Sequence, residues 1–284
     1  MKISRSFKSS FAIAGLLGAI IASPSAMAQF IYGNNAGGGP DIVNKINVGT
    51  GANVQTFNVS PGNGRGVVLV GNVLYTTATN DNHIYKTDAT TGLSLGSITV
   101  GGGVTSMSTI AWDGSSFWTS DYAGTNRAFQ INTSGAVIKT INLSLAGANY
   151  DGMEWFNGKL IANRGDANGP YDIYDLNGNV LQANFINAGS GSTGIAFDGT
   201  NFFTSNVFSN SLSVWNGTTG AFIKTINLTG GSFLIEDLSF DYAARIDTNP
   251  GLGGNAPDGG STALLLAAGL GGMGFMARRR KRVA

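Results

Sequence analysis

The chain of 284 residues has no cysteine, one histidine, six prolines and only 12% charged residues. Without cysteine there can be no disulfide, zinc–thiolate site or thiol nucleophile, so packing alone must hold the fold. The single histidine, His83 in TNDNHIYK, sits in a connection between strands, whereas a Ser-His-Asp arrangement would need it in a shared cleft. Positive charge is scarce away from the ends. Residues 29–250 carry nine Lys and Arg against fifteen Asp and Glu, a net of −6. No basic stripe is left to follow a phosphate backbone, and nucleic acid is not expected as a partner.

Glycine is plentiful, with 43 residues, and Asn, Ser, Thr, aromatic and β-branched residues are frequent. That mixture suits an all-β protein rich in turns rather than a helical or disordered one. A strand-like unit recurs along the chain: ANVQTFNV (52–59), LSLGSITV (93–100), AVIKTINL (136–143), NVLQANFI (179–186) and AFIKTINL (221–228). The copies end 41, 43, 43 and 42 residues apart. Upstream of four copies lies a glycine turn between apolar runs, centred on Gly71, Gly114, Gly158 and Gly199. A second turn (DATTG, NTSG, LNG, NGTTG) precedes each repeated strand. Tight turns require residues that tolerate positive φ, so each unit reads as four strands in about 42 residues.

That is the length and content of a β-propeller blade. The first copy, starting at FIYGNN, lacks an opening strand, and IEDLSFDY (235–242) supplies one after the last copy is complete. The expectation is an all-β, five-bladed propeller closed by a blade shared between residues 30–59 and 235–242. An open solenoid is the alternative, but its first unit would not need completion by its last. In repeat style, residues 30–242 resemble the broad superfamily of secreted propellers with AWDG-type repeats, which includes lactonase-like and NHL-like forms.

Both ends read as addresses. Lys2, Arg5 and Lys8 precede the apolar run FAIAGLLGAIIA and the small-residue site SPSAMA, so residues 1–28 read as a secretory signal cleaved between Ala28 and Gln29. After the domain at 29–250 and a linker at 251–255, residues 256–284 combine a short motif, an apolar segment and a basic end. A helix over 261–277 would be about 25 Å long, short of a ~30 Å hydrocarbon core. Arg278, Arg279, Arg280, Lys281 and Arg282 would stay cytoplasmic. This three-part layout resembles the PEP-CTERM class of sorting signals, in particular the variant named for Val-Pro-Asp-Ser-Gly. Pro257, Asp258 and Gly260 match that motif, while Ala256 and Gly259 depart from it. The resemblance implies a Gram-negative-type bacterium, an exosortase as processing partner, transient membrane anchoring, and delivery to the cell surface or extracellular matrix.

Propellers bind at the ends of their central channel, on the loops around the innermost strands. Alignment on the turn glycines places Glu154 in a ring with Val67, Ile110, Ile195 and Leu238, one carboxylate among aliphatic residues. A second ring holds Arg65, Ser108, Gly152, Thr193 and Glu236. Arg65, Asp121, Asp151, Glu154, Arg164, Glu236 and Asp237 are the candidate axial residues. Glu154 could pair with Arg164 or face channel water, the carboxylates could hold a calcium ion, or they could serve acid–base catalysis. Trp112, Trp118, Trp155 and Trp215 fall at repeat-equivalent positions and read as core. The Asn-x-Ser/Thr sequences at Asn58, Asn132, Asn142, Asn216 and Asn227 read as turn chemistry. Two functions stay open: a non-enzymatic surface propeller binding a polysaccharide or protein, or a lactonase-like hydrolase using an axial cation.

Overall fold

Short apolar runs and regularly placed turn glycines fold the described residues into twenty strands in five antiparallel sheets of four. This computed structural model describes residues 30–37, 41–165, 167, 169–231 and 233–242. The expected signal at residues 1–28 with its cleavage site at Ala28 and Gln29, the linker, the motif at 256–260, the apolar segment and the basic tail lie outside the described residues.

Blade 1 joins β1 (Phe30–Asn35), β2 (Asp41–Asn47) and β3 (Asn53–Ser60) to β20 (Ile235–Ser239), which pairs with β1 as the innermost strand. Blade 2 comprises β4 (Gly64–Val70), β5 (Val73–Ala78), β6 (His83–Asp88) and β7 (Ser94–Thr99). Blade 3 follows with β8 (Met107–Trp112), β9 (Phe117–Asp121), β10 (Arg127–Ile131) and β11 (Val137–Asn142). Blade 4 contains β12 (Met153–Phe156), β13 (Lys159–Asn163), β14 (Tyr171–Tyr174) and β15 (Val180–Ile186). Blade 5 contains β16 (Ser192–Phe197), β17 (Asn201–Asn206), β18 (Ser211–Asn216) and β19 (Phe222–Asn227). The protein is a five-bladed β-propeller, closed by the shared first blade.

Its core is divided into five apolar clusters between neighbouring blades. Trp118, Trp155 and Trp215 are buried in them, and Trp112 packs against one. The turn between the third and fourth strands of a blade also presses on the preceding blade. A Cβ on Gly51, Gly135, Gly178 or Gly220 would lie 2.0, 2.1, 2.0 or 1.8 Å from a carbonyl oxygen there. All four glycines have positive φ, so the repeated second turn serves both chain reversal and blade contact.

Register corrects one sequence alignment. Val67, Ile110 and Ile195 pair with Thr76, Thr119 and Thr204, each nine residues on, and the matching pair in blade 4 is Met153 with Ala162. Glu154 is therefore one place out of the aliphatic ring. Asn157 (φ 48°) and Gly158 (φ 75°) form a two-residue turn with both φ values positive, the type I′ signature. Asparagine tolerates the left-handed conformation, so blade 4 carries its glycine one position later in a hairpin of the same length. Met153 and Trp155 face blade 3, and Glu154 and Phe156 face blade 5. The corrected partners of Glu154 are Val68, Ala111, Ala196 and Ser239, and those of Phe156 are Val70, Asp113, Asp198 and Asp241.

Candidate functional site

The five innermost strands present their unpaired edges to the axis, where backbone N–H and C=O groups must find side-chain partners. They approach closely where Gly66, Thr109, Gly152, Gly194 and Asp237 are equivalent. A Cβ on Gly152 would lie 1.8 Å from the Thr193 carbonyl oxygen, and one on Gly194 would lie 2.5 Å from the Asp237 Cα. The two side chains in this ring bind the strands together. Asp237 Oδ2 accepts from Val67 N (3.2 Å), Ile110 N (3.2 Å) and the Thr109 hydroxyl (2.9 Å). Its Oδ1 accepts from Leu238 N (3.0 Å). Thr109 Oγ1 accepts from Met153 N (3.1 Å), and the Thr193 hydroxyl donates to Ile235 O (2.9 Å). These bonds tie all five blades at the axis. Burial pushes the Asp237 carboxyl well above the ordinary range, against the pull of its four donors.

Where the inner strands begin, Arg65, Asp151 and Glu236 come together. Arg65 Nη1 meets Glu236 Oε1 at 2.8 Å, and the guanidinium lies 4.8 Å from the centre of the Tyr122 ring. Asp151 feels the charge of Arg65, and Glu236 feels both. Asp151 belongs in this ring because the corrected register puts it, not Gly152, beside Arg65, Ser108, Thr193 and Glu236. Its oxygens accept from the Asn163 amide and from Ala167 N (3.3 Å). Burial raises the Asp151 carboxyl to about 6 and that of Glu236 to about 7.

The other candidates are held elsewhere. Arg164 does not pair with Glu154; Asp172 in the same blade takes it in a two-bond fork at 2.7 and 2.8 Å. Asp121 binds Arg127 and the Thr125 hydroxyl within blade 3. Glu154 is buried at the other end of the inner strands, where it accepts from Trp155 N (2.7 Å), Phe197 N (3.3 Å) and the Tyr242 hydroxyl. His83 is the first residue of β6, paired with Thr99, rather than part of the connection; it meets Asp81 of the β5–β6 connection at 2.6 Å, and Asp81 also accepts from the Tyr85 hydroxyl.

Sequence reasoning missed two features. Asp41 is buried against Ser60 (2.8 Å), and burial raises its carboxyl to about 7. A groove of 480 Å³ also opens between blades 4 and 5, with Phe156, Phe185 and Phe197 among its lining residues. Phe156 could have signalled it, because an aromatic ring stands where Asp113 and Asp198 occupy the matching loops.

The raised carboxyls imply a pH dependence. An unfolded chain gives up these protons in the ordinary carboxylate range, while folded Asp41, Asp151 and Glu236 keep theirs to about 7, 6 and 7. Between those limits the folded state binds more protons, so stability is highest at the acid end and falls as pH rises to about 7. Thermal melts across this window should show a falling midpoint that levels off above it; a rising midpoint would contradict the assignment.

The donor set at the axial mouth suits a cation poorly. Arg65 already places a positive charge on Glu236, and the Asp151 oxygens are occupied by donors. Among the described residues, no three His, Cys, Asp or Glu side chains converge on a metal-sized site.

No family model matches the chain, and no curated protein matches it either. A chain of a nidogen/laminin complex is similar in structure at 13% identity and TM-score 0.52, covering 74% of this chain and 97% of its own. Myxococcus xanthus glutaminyl cyclase matches at 13% identity and TM-score 0.47, covering 58% of this chain and 70% of its own. At such identity the first likeness extends to the fold alone.

Proposed function

We propose that this protein is an exported bacterial propeller, sorted through its C-terminal segment by an exosortase, that acts at the cell surface or in the matrix as a non-enzymatic binding protein. The observation carrying the binding role is the commitment of the axial groups. Asp237 is spent on the backbone of three blades, Asp151 on Asn163 and Ala167, and Glu236 on Arg65. A general base needs a free lone pair within reach of a substrate proton; of these carboxylates Glu236 keeps one oxygen, Oε2, without a hydrogen-bond partner, and that oxygen is buried. The open groove between blades 4 and 5 offers a ligand surface instead.

Mass spectrometry of the surface form tests the sorting part. The expected mature chain begins at Gln29 and ends near Pro257–Gly260; an intact basic terminus would replace processing with a simple anchor. Purified protein tests the rest. It is expected to leave a panel of lactones unhydrolysed and to melt at the same temperature with calcium and with chelator. Turnover that disappears in Glu236→Gln would make the lactonase-like alternative the better reading.

A further inference from the structure

We propose that the groove between blades 4 and 5 is a saccharide subsite, a reading that rests on the binding role above. Blades 2 and 4, whose turns are two residues long, carry Val70 and Phe156 where blades 1, 3 and 5 carry an aspartate, and blade 4 alone places an aromatic ring there. In blades 3 and 5 the matching position is an aspartate that folds its own loop: Asp113 accepts from Ser115 N and Ser116 N, and Asp198 from Thr200 N and Asn201 N. The Asn157–Gly158 turn needs no such acceptor. Phe156 is directed into blade 5 instead, with ring centres 4.9 Å from Phe197 and 4.8 Å from Phe202. The opposite wall is kept low by Gly217, where a Cβ would come within 2.7 Å of the Phe197 ring and 2.2 Å of Thr200 O.

The lining chemistry selects the ligand. Phe156 and Phe197 are half-buried and supply an apolar floor, while Asn157, Lys159, Gln182 and Thr218 supply donors and acceptors around it. No carboxylate is among the lining residues. An alkyl chain or apolar peptide side chain would use the floor alone and leave the donors and acceptors of the exposed rim to water. A pyranose ring meets both demands, because its C–H face lies on an aromatic ring and its hydroxyls point outward to the rim. At 480 Å³ the groove falls in the ~300–1,000 Å³ range of small-ligand sites.

The test uses the propeller on an array of bacterial and plant polysaccharides, with affinities by calorimetry for whichever binds. Phe156→Ala should weaken binding about tenfold or more, the equivalent of ~1.4 kcal/mol. Thr218→Trp, at an exposed rim position away from the core, should abolish binding by filling the groove while leaving the melting temperature unchanged. Saccharide binding that survives Thr218→Trp would remove the groove as the subsite but leave the binding role intact. An array without any binding would overturn the saccharide class; the binding role itself falls only to lactone turnover.

Discussion

A chain ending at Leu234 is expected to lose its cooperative unfolding transition, or to survive only as oligomers. The cut removes β20 and leaves the edge of β1 unpaired over Tyr32–Asn35. It also removes Leu238 and Phe240 from the cluster between blades 5 and 1 and takes away Asp237. An exposed edge strand beside a half-filled apolar interface is a template for pairing with another chain. Calorimetry and size-exclusion chromatography together check this. A truncated protein that stays monomeric and melts where the full chain does would show that the shared blade is dispensable.

Asp237→Ala should be the most costly single substitution at the axis. It leaves the N–H groups of Val67, Ile110 and Leu238 and the Thr109 hydroxyl without their acceptor in a site closed to water. At ~1–3 kcal/mol for each buried group left unsatisfied, the loss should reach about 3 kcal/mol or more, even after the relief of no longer burying a carboxyl. Asp237→Asn keeps one acceptor oxygen and should lose less. Urea unfolding with an unchanged slope for all three proteins is the measurement. An Ala variant as stable as the wild type would mean that the axis admits water and that Asp237 does not hold the blades.

Much of the fold was legible in the sequence because propeller blades repeat locally. Hairpins need residues of positive φ at fixed places, and the inner strands are buried on both faces, so turn glycines and short apolar runs report the blades without long-range information. Even the shared blade was readable, since IEDLSFDY repeats the pattern of the other opening strands. The same logic failed by one residue in blade 4, because Asn157 takes a positive φ that glycine takes elsewhere. That slip exchanged the two faces of β12, misplacing Glu154 and hiding the true company of Asp151.

Composition and repeat period determined the blade count, the strand order and the end at which the ring closes. Partnerships were decided only by the tertiary structure. Arg164 chose Asp172 over Glu154, Asp237 became a hub for blades 1, 2 and 3, and Phe156 met Phe197 across a blade boundary. Periodicity specifies which way a side chain points within its own blade. Which atoms it meets depends on how closely the next blade packs, and that is set by ring closure between residues about two hundred positions apart.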